Sequence, residues 1–173
     1  MKYVPYFIIV IVIYVTISNF ISKKYVIPKE AIRVRVIANS NNQYDQEIKM
    51  NVAGIVEKDM YSIMDNVDNV DNARIKINNN INVLSHDITK YLNKVDYDKD
   101  FNINFGYNYF PKKEYKGIEY KEGMYESLVI TLGKGEGNNW WCVLFPPICM
   151  IEAEESSNVE YTTMVKEIMN KYF

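Results

Sequence analysis

The stretch "FNINFGYNYF", Phe101–Phe110, sets Phe101, Ile103, Phe105, Tyr107 and Tyr109 on one side and Asn102, Asn104, Gly106 and Asn108 on the other. Such alternation marks a strand with one face against a core. Upstream of it the apolar spacing is three to four. In "YDQEIKMNVAGIVEKDMYSIM", Tyr44–Met64, the residues Ile48, Val52, Ile55, Val56 and Ile63 share one helical face, and Asp45 and Glu47 lie where the positive end of a helix dipole favours carboxylates. A second stripe follows in Ile77, Ile81, Leu84, Ile88, Leu92 and Val95. A chain that runs two amphipathic helices into alternating strands belongs to the α+β class.

Working outward, "IRVRVIA", Ile32–Ala38, alternates Ile32, Val34 and Val36 with Arg33 and Arg35, which predicts a half-buried strand stopped by Asn39–Asn42. "ESLVITL" predicts another with Leu128, Ile130 and Leu132 on one face. "EYKGIEYKEGMY" reads as a strand turning at Lys121–Gly123, "WCVLF" as a short strand, and "VEYTTMVKEIMNKYF" as a terminal helix with Val165, Ile168 and Met169 inward. The expected architecture is a mixed sheet of four or five strands with the helix pair on one face. The expected division is a signal peptide or membrane anchor over 1–24, a linker over 25–30 and one domain over 31–173.

The chain has 173 residues and a formal net charge of −2, with 20 basic and 22 acidic side chains. That balance leaves no basic footprint for nucleic acid. "YVPYFIIVIVIYVTISNFIS", Tyr3–Ser22, is uncharged and about long enough to cross a bilayer as a helix. "SNFISKK" lacks the small-residue site of a cleaved signal, which favours a retained anchor. Lys2 roughly balances Lys23 and Lys24, so charge gives no orientation; two cysteines near each other suggest an exported body.

No motif for metal or phosphate chemistry stands up. His86 is the one histidine, with no CxxC or HExxH spacing to complete a zinc site. "DNVDNVDN", Asp65–Asn72, places Val70 and Lys76 where a calcium loop needs Gly and Glu, and reads as a solvated linker between helices. No metal and no cofactor are expected. A nucleophilic pair of Cys142 with His86, or with a carboxylate such as Glu126, is the enzymatic alternative, as in a wall-acting hydrolase. Nothing adjacent to Cys142 in sequence lowers a thiol pKa.

"GKGEGNNWWCVLFPPIC", Gly133–Cys149, concentrates three of the 7 Gly, two of the 5 Pro, both Trp and both Cys. The glycines match neither a P-loop nor a dinucleotide fingerprint and read as freedom for a tight return into the sheet. Adjacent tryptophans in a strand point to opposite faces, so at most one of Trp140 and Trp141 enters the core; the other sits at the surface as an interface anchor, or as the stacking platform of a carbohydrate-binding module, or is covered by a neighbouring loop. Pro146 and Pro147 restrict the run between Cys142 and Cys149, which must bend there if a disulfide forms; two free thiols are the other possibility.

This block resembles the signature of the stage II sporulation protein R family of endospore-forming bacteria. "IRVRVIANS", "DQEIK", "YFP" and "GMYESLVI" agree with it in order. The resemblance departs where Asn41 follows Ser40 and where Val52, Ala53 and Gly54 stand on the helix. It implies a signal made in the forespore and exported to the space between the two membranes. There it would activate a membrane-embedded aspartic protease that processes the precursor of a mother-cell sigma factor. On that reading the chain is not an enzyme, its N-terminal segment meets the membrane, and Asn139, Trp140, Trp141, Phe145, Pro146 and Pro147 contact the protease.

Overall fold

A computed structural model describes Tyr3 and residues 6–13, 25–115, 117–150 and 158–173. Residues 6–13 form helix α1. The body runs β1 (Tyr25–Val26), β2 (Ile32–Ile37), α2 (Gln43–Met64), α3 (Val70–Lys94), β3 (Phe101–Phe110), β4 (Lys113–Tyr115), β5 (Ile118–Tyr120), β6 (Gly123–Leu132), β7 (Asn139–Phe145), a 3-10 turn at Ile148–Met150 and α4 (Asn158–Tyr172).

The fold is α+β with two sheets. The main sheet has the order β3-β6-β2-β7, with β2 and β6 parallel and the outer pairs antiparallel. The small sheet has the order β1-β5-β4. Period-two alternation decides what faces the helices, but β2 and β6 bury residues on both faces, and in β3 Tyr107 and Tyr109, expected on the core side, are exposed while Phe110 is buried. Ile32, Val34, Val36, Leu128, Ile130 and Leu132 pack with Ile48, Val52, Val56 and Met60 of α2 and with Ile77, Leu84, Ile88 and Leu92 of α3. Each such aliphatic side chain contributes about 1.5–3 kcal/mol by leaving water. Ile55, Ile63, Ile81 and Val95 are only half-buried, and at the end of α2 Met60 and Met64 are buried in place of Ile63.

A second cluster unites the two sheets. Val143 and Ile148 pack with Ile118 and Tyr120 of β5, Ile27, Ala31, and Tyr161, Val165 and Met169 of α4, with Ile168 at its margin. It corrects the expected linker at 25–30. Tyr25 and Val26 pair in parallel with Ile118 and Glu119, and Ile27 is buried, so these residues belong to the domain.

Two turns also differ from expectation. The hairpin reverses between β4 and β5 at Gly117, whose φ of 79° favours glycine, while Lys121 and Glu122 carry the chain from one sheet to the other. The repeat at 65–72 is only partly linker. Asn69 caps α3 by accepting from the Asn72 amide at 2.9 Å, so its second half is the first turn of a helix, and Val67 is tucked into the core.

No helix among the described residues is long and apolar enough to cross a membrane. Of the expected span Tyr3–Ser22, only Tyr3 and α1 are described; its remainder and the junction after it lie outside the described residues.

Candidate partner-binding surface

The glycine run forms the turn between β6 and β7, and it is fastened to the loop after β2. The Glu136 amide donates to the Asn39 carbonyl at 3.2 Å and the Gly137 amide to the Ala38 carbonyl at 2.9 Å. The Lys134 amide donates to Asn39 Oδ1 at 3.0 Å and the Asn138 amide to Asn41 Oδ1 at 2.7 Å. A Cβ at Gly137 would strike the Ser40 carbonyl, so a close backbone approach requires glycine there.

Asp45 anchors the same loop from the first turn of α2. Its Oδ2 accepts from Ser40 Oγ at 2.6 Å, Asn39 Nδ2 at 2.7 Å and Asn42 Nδ2 at 2.9 Å. Burial pushes its carboxyl up, but these hydrogen bonds and the charge of Lys99 outweigh burial and hold it below the usual aspartate value. Tyr97, whose hydroxyl lies 3.4 Å from Asp45 Oδ1, is pushed up to about 12 by burial and by the Asp45 charge. Asp45 lies in the first turn of α2, as expected of a carboxylate at the positive end of a helix, and also serves as a buried loop anchor.

From this turn β7 enters the sheet edge. Trp140 stands opposite Val36 and packs into the main core, whereas Trp141 stands opposite Arg35 and meets the Phe110 ring edge-on at 5.1 Å. Both indoles, and Asn139, remain partly exposed. Phe145 is 1% exposed and packs on Tyr172 at 5.0 Å, and Pro146 is buried. A partner cannot touch those two in this conformation, which corrects their assignment as direct contacts. The peptide before Pro146 is cis. Pro147 reaches an open cleft of about 620 Å³ with Tyr61, Met64, Val67 and Tyr172. Cys142 and Cys149 form a disulfide with Cα atoms 5.6 Å apart, closing the loop that contains both prolines.

The thiol that the hydrolase alternative calls on is not free. The Cys142 sulfur is in the disulfide, His86 is exposed on α3, and Glu126 accepts from Arg74 Nε and Nη2 at 2.6 and 2.9 Å. Those bonds, with one to Asp71, raise the Arg74 pKa. Among the described residues no group of His, Cys, Asp or Glu could hold a metal ion.

The sequence reading missed the arginines of β2, which period two assigned to solvent. Arg33 is 1% exposed; none of its three guanidinium nitrogens has a well-aligned hydrogen bond, and the Tyr125 side chain offers it a polar contact. It lies 3.4 Å from the centre of the Tyr125 ring, with Phe110 and Tyr120 at 5.5 and 5.6 Å. Arg35 lies 4.9 Å over Phe110 with its Nε buried and unpartnered, and Lys113 Nζ stands 4.9 Å over Trp141. Burial lowers the pKa of both arginines, with Tyr125 and Tyr120 pushing Arg33 the other way. The available signal was topological: a strand with neighbours on both sides and cover on both faces has no solvated side.

Fold and surface together define a small α+β domain that presents a rigid edge of aromatic and cationic side chains, framed by a glycine turn and a disulfide loop. Residues 28–155 match the family described as Stage II sporulation protein R (spore_II_R), and the chain belongs to that family, which places it among sporulation proteins. A protein named "Stage II sporulation protein R" from Bacillus subtilis (strain 168) is 33% identical over 135 residues, covering 78% of this chain and 60% of that protein's length. No solved structure matches the chain.

Proposed function

We propose that this chain is an intercellular signal of endospore formation. Exported from the forespore, it activates a membrane-embedded aspartic protease, which then processes the precursor of a mother-cell sigma factor. The observation that carries the reading is the construction of the segment richest in unusual residues. Its cysteines are joined, its glycines lock a turn to the β2 loop, and Trp141 is held at the surface by Phe110 and Lys113. Such an arrangement displays a fixed shape. Pre-ordered aromatic side chains at a surface suit protein recognition because little entropy is lost on binding.

The N-terminal segment fits the same reading. Tyr3–Ser22 tethers or exports the body, and the disulfide suits an oxidising space outside the cell of synthesis. The body acts as a ligand and not as an enzyme. The test is reconstitution of the protein with the candidate protease and its precursor substrate. Cleavage should depend on the protein and survive His86→Ala; cleavage that occurs equally without the protein would refute the reading.

A further inference from the structure

The face of the main sheet that carries Arg33 and Arg35 has a charge problem. Among the described residues neither arginine, nor Lys113, reaches a carboxylate; the ion pairs lie elsewhere, at Arg74, Lys99 and Lys112. Arg33 is fully enclosed with no well-aligned hydrogen bond beyond the polar contact of Tyr125, and Arg35 keeps an unused buried Nε. Aromatic faces attract a guanidinium, but they replace only part of the hydration it gives up. Lys49, itself buried, adds positive charge that lowers the Lys113 pKa further after burial. The result is an aromatic-lined, positively charged face with no carboxylate paired to it among the described residues.

The adjoining strand specifies what kind of anion fits. β7 is the edge of its sheet, with β2 on one side and no strand on the other among the described residues. An extended chain laid along such an edge brings alternate side chains onto one face of the sheet. On this face they would meet Trp141, then Arg35, which stand opposite each other across β7 and β2. A guanidinium presents a planar fork that matches a carboxylate through two parallel bonds. A flat bilayer would instead favour protruding lysines, and Arg35 is half-buried against Phe110.

We propose that this face, with Arg35 and Lys113 beside Trp141 and Arg33 buried behind them, docks an extended acidic segment of the protein partner. The proposal rests on the reading of the chain as a protein-activating signal and names the chemistry its partner presents. Carboxylates of the partner supply the counter-charge that the described domain lacks, and the aromatic wall excludes water around them, which strengthens the pairing.

The probe is hexaglutamate, capped at both ends, titrated into the full-length oxidised protein in detergent and followed by tryptophan fluorescence. Saturable binding is expected, weakening with salt and weakening at least about tenfold in Arg35→Ala and in Lys113→Ala. Arg35→Lys should fall between, since it keeps the charge and loses the fork, and capped hexaglutamine should not bind. Should Arg35→Ala melt before it can be assayed, Lys113→Ala decides. No saturable binding, or binding that both variants leave unchanged, overturns the proposal. So does a preference for phosphatidylglycerol vesicles over hexaglutamate, which would make this face a membrane contact. The cleavage assay separates this site from the signalling reading. Protein that binds hexaglutamate without triggering cleavage sinks the signal and leaves the anion site, whereas cleavage indifferent to Arg35→Ala and Lys113→Ala sinks the site and leaves the signal.

Discussion

At the scale of the residue, neighbours in sequence do unrelated work. Trp140 packs with Val36 and the α2–α3 core, so Trp140→Ala removes apolar contact on the core side and should cost about 3 kcal/mol of stability. Trp141 lies against Phe110 and Lys113 at the surface, so Trp141→Ala should melt within a few degrees of the parent yet lose about 2 kcal/mol of partner binding. Thermal melting beside the cleavage assay distinguishes them, and a Trp141→Ala protein that melts as low as Trp140→Ala would remove it from the interface. Asp45 gives a pH prediction. Its folded pKa lies below the unfolded value of about 3.9, so its contribution is present above that pH and is lost as pH falls through the folded value. Asp45→Asn turns an amide donor toward the donors of Asn39 and Ser40. It should cost about 2 kcal/mol at neutral pH and flatten the acid limb of the stability curve. An unchanged acid limb in chemical denaturation would exclude Asp45 as its source.

At the scale of the element, the β6–β7 turn and the loop after β7 hold the edge strand from both ends. The Gly137 amide meets the Ala38 carbonyl at 2.9 Å, and any Cβ there strikes the Ser40 backbone. Gly137→Ala should therefore cost about 1–3 kcal/mol, the range for overpacking a tight site. Equal melting temperatures for variant and parent would show that the turn can move aside. The disulfide fixes the other end. Closing so short a loop restricts the unfolded chain by about 2–3 kcal/mol, so reduction should lower the melting temperature and weaken protease activation together. Peptide mapping of the non-reduced protein must recover Cys142 linked to Cys149, and two alkylated cysteines in native exported material would contradict the bridge.

At the scale of the whole molecule, the second cluster makes β1, β5, α4 and the underside of β7 one body. A chain that starts at Ala31 loses the β1–β5 pairing and Ile27, and should be about 3 kcal/mol less stable than one that starts at Tyr25. Urea denaturation of the two forms measures this directly; coincident curves would return residues 25–30 to the role of a linker. The apolar spacing in the sequence was enough to place α2, α3, β3 and β6, because three-to-four and two-residue periods follow from local geometry with one side facing a core. The tryptophan pair could likewise be assigned to opposite faces, since alternation along a strand is local. What periodicity could not reveal was which strands acquire a second covered face. β2 lies between β6 and β7, and the small sheet with α4 adds a core beneath, so Arg33 is enclosed although its strand reads as amphipathic. The burial of Phe145 and Pro146, the joining of Cys142 to Cys149 and the capture of residues 25–27 by β5 are likewise contacts between distant elements. The sequence alone determined the long helices, the main strands and most of their apolar faces, and tertiary packing decided β1, the β4–β5 hairpin and which faces stayed in water, because burial depends on what lies opposite a side chain rather than on its own place in the repeat.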